Sequence, residues 1–364
     1  MQIKAAVVEE KQGAFQVEVL ELDPPREDEV LVRIVGSGIC HTDLVCRDQY
    51  FPVPLPAVFG HEGSGVVEAT GSAVSDVAVG DHVVLSFGSC GQCPPCLQGL
   101  PGYCLDLYGH NFAGARTDGS NALHRHGEVV HGHFFQQSSF ATYAIARART
   151  CVVVPRDVPL ELLGPLGCGI QTGAGAVMNS LRPTAGSSIA IFGTGSVGLS
   201  AVMAARAVGC ATIIAVDRNA DRLALARDLG ATHSLKAGEV GVVPAIQRAT
   251  SGGVHFSLEC TGIPAVARQA VDSLTLTGIC GIVGVAPLGT EMALDMNGIL
   301  FGRSVRGIIE GDSIPRLFIP RLIELYRQGR FPFDRLVKFY PLDAIEQAVH
   351  DTETGIVLKA IVRS

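Results

Sequence analysis

The apolar positions of this chain change rhythm near residue 167. From Lys4 to about Val84, short apolar runs (Ala5–Val8, Val30–Val35, Gly65–Glu68 and His82–Leu85) are separated by Gly, Asp and Pro, the pattern of strands joined by turns. Beyond Gly167 the apolar segments lengthen. Leu162–Leu181 and Val197–Val208 read as helices, Ser188–Phe192 and Thr212–Val216 as buried strands, and Ala220–Leu229 as an amphipathic helix. Strands alternating with helices over Ser187–Gly284 predict a doubly wound parallel sheet. The tail predicts helices at Pro320–Gln328 and Leu342–Asp351 and a closing strand at Val357–Val362. Between the two regions lies Gly88–Gln137, a long polar stretch with four cysteines at its start and His110, His124, His126, His131 and His133 along it. A loop of that length is functional or pinned by a metal. The irregular spacing of the histidines predicts a solvated face rather than a further metal site.

Composition narrows the class. Apolar residues make up 47% of the 364 and charged residues 17%, which supplies a large core. With 28 basic against 35 acidic residues the net charge is −7, so the basic footprint of a nucleic-acid binder is missing. The uncharged stretch between Arg182 and Arg206 contains Pro183 and four glycines, which argues against a membrane span. Acidic residues stand in Met1–Glu10 where a secretion signal would be apolar, so a cytoplasmic location is expected. In that compartment the eleven cysteines point to metal or catalysis rather than to disulfides.

Two motifs carry chemistry by their spacing alone. Cys90, Cys93, Cys96 and Cys104, with Gly and Pro between them, can wrap one ion tetrahedrally, and a closed four-thiolate shell is a structural zinc site. Gly193-Thr194-Gly195-Ser196-Val197-Gly198 follows an apolar strand and opens a helix, and the next strand ends at Asp217, nineteen residues after Gly198. In that context the glycines admit a pyrophosphate to the helix N-terminus, and the Asp217 carboxylate accepts ribose hydroxyls and repels a 2′-phosphate. NAD is therefore the expected cofactor, with Arg222 close by. The domains read as 1–169 with 306–364, and a dinucleotide-binding Rossmann domain over 170–305. A zinc-ribbon adaptor, the alternative for the four cysteines, leaves the nucleotide fingerprint unexplained.

Three further motifs stay unassigned on spacing alone: Gly38-Ile39-Cys40-His41-Thr42-Asp43, Gly60-His61-Glu62 with Gly63 and Gly65, and Gly167-Cys168-Gly169. Taken in order with the four-cysteine lobe, the Gly193 fingerprint and Asp217, they resemble the zinc-dependent medium-chain alcohol dehydrogenases over essentially the whole chain. The stretches His133–Tyr143 and Leu163–Gly173 are most similar to the aryl-alcohol (benzyl alcohol) dehydrogenases. The resemblance implies an α/β fold with a GroES-like catalytic domain, NAD and two zinc ions per chain, and reversible oxidation of benzyl-type primary alcohols to aldehydes. It implies that Cys40, His61 and Cys168 hold the catalytic zinc with one position open, and that Thr42 relays the hydroxyl proton to a ribose hydroxyl. Asp43 would orient His61, and Glu62 would tune the metal. His41 and Lys359 would touch the pyrophosphate, and Thr172 would lie beside the nicotinamide. Val45, Phe51, Phe87, Phe134 and Phe135 fall at or near the alcohol channel. Many relatives carry His where this chain has Val45, so the relay here must end at ribose and water or use another base. A homodimer or homotetramer is implied, with Ile279–Val285 and Met292–Phe301 as a subunit seam. Other alcohols (aliphatic, terpene or a formaldehyde–thiol adduct) are the alternative substrates.

Overall fold

The computed structural model describes residues 1–239 and 241–364 and divides the chain into two compact units. The first comprises Met1–Cys168, Ile314–Pro320 and Asp334–Ser364; the second comprises Gly169–Ser313 and Arg321–Phe333. No helix among the described residues is long and apolar enough to cross a membrane.

Two sheets build the first unit. The smaller has the order Ala57–Val58, Gln2–Val8, Gln16–Leu22, Leu123–Arg125, Glu128–Val130. The larger runs Cys151–Val153, His82–Leu85, Glu62–Thr70, Glu29–Gly38, Lys359–Arg363, Val337–Pro341, and Tyr143–Arg147 pairs with the Glu29–Gly38 strand. Glu29–Gly38 organises the site, because Gly38 pairs with Glu62 on one side and with Ile361 on the other. That register places the C-terminal strand and the Gly60-His61-Glu62 motif on either side of one strand end.

The second unit is a six-stranded parallel sheet in the order His233–Lys236, Thr212–Asp217, Ser188–Phe192, Val254–Glu259, Leu274–Ile282, Ser304–Gly307. Its central strands Ser188–Phe192 and Thr212–Asp217 are largely apolar and buried because helices cover them, whereas the edge strands His233–Lys236 and Ser304–Gly307 are mostly polar. Helices Ser196–Ala207, Ala220–Leu229, Val242–Ala249 and Pro264–Asp272 follow successive strands, as the alternating pattern predicts. The direction in which successive strands are added reverses between Ser188–Phe192 and Val254–Glu259, the switch point at which such sheets bind ligands.

Three expectations are corrected. The helix read at Leu162–Leu181 is broken into 3₁₀ turns at Leu160–Leu162 and Gly164–Gly167, and α-helix begins only at Gly169. Cys168 stands at the break with φ −144° and ψ −88°, outside the helical range. The helix read from Pro320 starts five residues earlier, at Pro315, and carries Pro320 inside it. The loop histidines are not all solvated: His110 and His133 are buried. Residues Gly88–Gln137 also contain helical turns at Pro94–Leu97, Pro101–Tyr103 and Leu107–Asn111 and a short hairpin.

His133 has a measurable consequence. Burial and the nearby Arg116 guanidinium push its pKa down to about 4. The folded chain thus holds it neutral while the unfolded chain protonates it near the ordinary value of about 6.5. Its stabilising share is full above that value and is lost as the pH falls toward 4. His133→Asn suits the left-handed backbone here, φ +57°. It is expected to flatten the fall in thermal stability between pH 7 and 5 by about 2 kcal/mol. Parallel pH–Tm curves for the two proteins would refute the assignment.

Candidate active site

Cys40 caps the short helix His41–Arg47, with Asp43 folded back so that its Oδ2 accepts the Cys40 N–H at 2.9 Å. The other Asp43 oxygen accepts the Gly60 N–H at 3.1 Å and lies 2.8 Å from His61 Nδ1. Both side chains are fully buried. A carboxylate only accepts, so Asp43 fixes a proton on Nδ1 and, against burial, holds the imidazole pKa well above its usual range; a ring that gives up its other proton to a metal would turn its lone pair outward at Nε2. That Nε2 is buried and has no hydrogen-bond partner. Cys168 reaches the same place from the helix break, where a Cβ on Gly167 would overlap the Leu85 carbonyl; only glycine permits the approach.

Ligand atoms of Cys40, His61, Glu62 and Cys168 all lie within 4.8 Å of one another. The Cys40 thiol is held well below the usual thiol range, first by its hydrogen bond with Cys168 and then, against burial, by His61. Two soft sulfurs, one of them readily ionised, beside a buried imidazole Nε2 that lacks a hydrogen-bond partner fit a zinc ion. The second group is Cys90, Cys93, Cys96 and Cys104, likewise within 4.8 Å of one another and unbridged by disulfides. Backbone N–H groups aim at these sulfurs, Cys93 N–H to Cys90 Sγ at 3.3 Å and Cys90 N–H to Cys104 Sγ at 3.2 Å. Donation from Gln92 and Cys93 brings the Cys90 thiol down to about 6. Burial pushes Cys96 up and Cys104 up to about 12, and the convergence of the four sulfurs fits a metal ion that would draw off their protons. No other such group occurs among the described residues.

Behind the first cluster stands a buried ion pair. Lys359 Nζ donates to both Glu62 oxygens, at 2.9 and 2.8 Å, and to the Ile39 carbonyl at 3.1 Å. Lys359 is 1% exposed, and its three protons meet three protein acceptors. The structure therefore places Lys359 with Glu62 and leaves no free donor on it for a pyrophosphate. His41 is exposed and Thr42 half-buried, with the Thr42 hydroxyl 3.8 Å from the Cys40 sulfur.

The aromatic residues gather around His61. Phe135 stacks on the imidazole at 4.4 Å, and Phe134 meets it edge-on at 5.6 Å. Phe134 and Phe87 lie in the same buried cluster, with Phe51 packed against it and Val45 half-buried on the helix. His133, Phe135, Gln136 and Ser138 all have φ between +50° and +57°, a run of left-handed residues anchored by the Ser138 hydroxyl, which donates to the Val58 carbonyl at 2.6 Å and accepts the Phe134 N–H at 3.0 Å. Sequence reasoning missed Gln137, which donates to the His61 carbonyl at 2.9 Å and accepts the Gly63 N–H at 3.0 Å. It also missed the Gln136–His110 contact at 2.8 Å. Neither has a local signal, since the partners are 76, 74 and 26 residues away.

In the second unit, Gly193 has φ +89°, and a Cβ on Gly198 would overlap the Gly193 carbonyl. A Cβ on Gly195 would meet nothing, so open space lies where a phosphate would enter above Ser196 and Val197, the first residues of the helix. Asp217 Oδ2 accepts the Thr194 N–H at 2.7 Å and its hydroxyl at 2.8 Å, while Oδ1 accepts the Asn219 N–H at 2.9 Å. Burial alone would raise the Asp217 pKa, but these donors bring it below the ordinary value, so the carboxylate is ionised. Arg222 is half-buried on the following helix and its Nε has no hydrogen-bond partner. These features fit a dinucleotide.

Comparison with known proteins agrees with this geometry. Residues 26–156 match the alcohol dehydrogenase GroES-like domain, and residues 196–327 match the zinc-binding dehydrogenase domain. A geraniol dehydrogenase of Castellaniella defragrans is 49% identical, covering 99% of this chain and 97% of that one. An alcohol dehydrogenase zinc-binding domain protein of Burkholderia ambifaria is 56% identical, with a TM-score of 0.99 over 100% of this chain and 99% of the other. The benzyl alcohol dehydrogenase of Acinetobacter calcoaceticus is 51% identical, with a TM-score of 0.97 over 100% and 99%. The chain thus belongs to the zinc-dependent medium-chain alcohol dehydrogenases.

Proposed function

We propose that this alcohol dehydrogenase oxidises primary alcohols bearing a large flat apolar group, benzyl-type alcohols first, reversibly to aldehydes with NAD. The observation that carries this is the aromatic wall at His61, with Phe134 and Phe135 on the ligand itself. Aromatic faces and edges reward a ring in the substrate through area and edge-to-face contact, which a two-carbon alcohol cannot supply. Cys40, His61 and Cys168 would hold the catalytic zinc, and Cys90, Cys93, Cys96 and Cys104 the structural one. When bound, zinc supplies a Lewis acid that makes an alcohol hydroxyl more acidic, and the nicotinamide supplies the hydride acceptor. The chain's own residues do the rest. Asp43 keeps the proton on His61 Nδ1. Thr42 Oγ1 receives the hydroxyl proton and releases its own outward, and with Val45 at the family's histidine position the relay ends at ribose and water or uses another base. Phe134 and Phe135 exclude water.

The nucleotide reading rests on the ionised Asp217, which favours ribose hydroxyls over a 2′-phosphate. A terpene alcohol is the second reading, since one relative is a geraniol dehydrogenase. A panel of benzyl alcohol, geraniol and ethanol with NAD and NADP tests both. The highest kcat/KM is expected for benzyl alcohol with NAD. A preference for ethanol overturns the aromatic reading, and a preference for NADP overturns the assignment of Asp217.

The seam for a second copy is proposed at the edge strand Ser304–Gly307, which is paired on one side only. Beside it Met296 is 86%, Leu300 76% and Phe301 63% exposed. Such an edge with apolar neighbours invites pairing with another chain. Light scattering is expected to give a dimer or tetramer and Leu300→Glu a smaller species; a monomeric wild type sinks the idea.

A further inference from the structure

The mechanism leaves two buried carboxylates of the second unit without a role; Glu259 is taken up by the Thr261 and Gly262 N–H groups of its own turn, and Glu310 is the other. Asp217 ends the second strand from one edge of the sheet, and the Gly193 turn follows its neighbour, so adenosine and pyrophosphate belong over these two strand ends. A dinucleotide laid in that direction carries its nicotinamide toward the ends of Val254–Glu259, Leu274–Ile282 and Ser304–Gly307. Glu310 stands three residues beyond the last of these strands and is 9% exposed. Its Oε2 accepts the Gln171 side-chain N–H at 3.2 Å and lies 3.5 Å from the hydroxyl of Thr172. Glu310, Gly311 and Asp312 have φ of +51°, +65° and +49°, a left-handed turn that two of its three residues adopt only at a cost. The turn lies flush on the helix Gly169–Gly175: a Cβ on Gly311 would stand 2.5 Å from the Gln171 carbonyl, and Asn179 donates to the Gly311 carbonyl at 3.1 Å. Strained backbone held rigidly around a buried acid is the mark of a functional position.

We propose that Glu310 sets the oxidation-state preference of the cofactor, its carboxylate favouring the oxidised, cationic nicotinamide over the reduced, neutral ring. This rests on the reading of the chain as a nicotinamide-dependent dehydrogenase. Only the oxidised ring carries a charge, so a fixed anion on that half of the groove acts on one form alone. A unit charge beside the ring in a partly desolvated groove would change an affinity by roughly tenfold. The carboxylate thereby shifts the balance of affinities toward the oxidised cofactor and eases release of the reduced one after turnover.

The test is calorimetric titration of the zinc-loaded protein with NAD and with NADH. Glu310→Gln keeps the shape and removes the charge, and it is expected to raise the ratio Kd(NAD)/Kd(NADH) about tenfold. Glu310→Asp keeps the charge and is expected to stay within about threefold of wild type. Gln171→Lys leaves Glu310 in place and neutralises it, so it must raise the ratio as well. A merely structural Glu310 would weaken both forms alike; an unchanged ratio in Glu310→Gln, or in Gln171→Lys where the former does not fold, overturns the proposal. Failure of wild type to bind either form removes the dehydrogenase reading itself, and the proposal with it.

Discussion

Cys168→Ala is expected to lower the zinc content from two ions per chain to one and to reduce alcohol oxidation on the order of 10³-fold or more, with the fold intact. The asymmetry comes from how each cluster is built. Cys168 stands on a break between 3₁₀ turn and helix, packed by Gly167 and Gly169, and its sulfur supports no element of its own. Loss of that sulfur leaves His61 Nε2 and one thiolate, too few donors to retain the ion. Cys104→Ala should behave differently. The cysteine lobe has few apolar contacts and is organised by N–H groups directed at sulfur, so loss of its metal should loosen residues 90–104 and lower thermal stability. Elemental analysis and a melting curve on both variants check this. Two zinc ions retained in Cys168→Ala would remove it from the ligand set.

Lys359→Met is expected to destabilise the chain by about 3–5 kcal/mol, because it leaves the fully buried Glu62 carboxylate without its cation. For a unit of this size that corresponds to roughly 8–15 °C in Tm. Burial raises the Glu62 pKa even with Lys359 opposite it, and the Glu62 and Cys40 anions hold the Lys359 pKa above its usual range against burial. The positive charge therefore answers more than one anion. Pairing Lys359→Met with Glu62→Gln should restore part of the loss, since the uncompensated acid is then gone. A Lys359→Met protein that melts with wild type, or a double variant no better than the single one, would show that the pair does not hold this region together.

Most of what could be read from the chain lies within about twenty residues of itself. The four cysteines, the Gly193 turn and Asp217 are legible because metal wrapping and phosphate approach demand particular residues at short spacings. Helix Ala220–Leu229 is legible to its ends, since Asn219 caps it through the N–H groups of Asp221 and Arg222 and Gly230 terminates it. Helix Pro315–Arg327 is not: Pro320 reads as a start, but packing carries the helix through it. His110 and His133 read as solvated because a polar segment gives no sign that Gln136 and Arg116 lie close to them.

By itself, then, the sequence determined the parallel sheet, the glycine turn at Gly193 and the four-cysteine lobe, all of which follow from local spacing and hydrophobic period. Only the tertiary structure decided that Cys40, His61 and Cys168 converge, that Asp43 sets the tautomer of His61, and that Lys359 serves Glu62 across 297 residues. The physical reason is register. Gly38 pairs at once with Glu62 and with Ile361, so which charges meet in the interior depends on how distant strands align, and no property of either segment alone encodes that alignment.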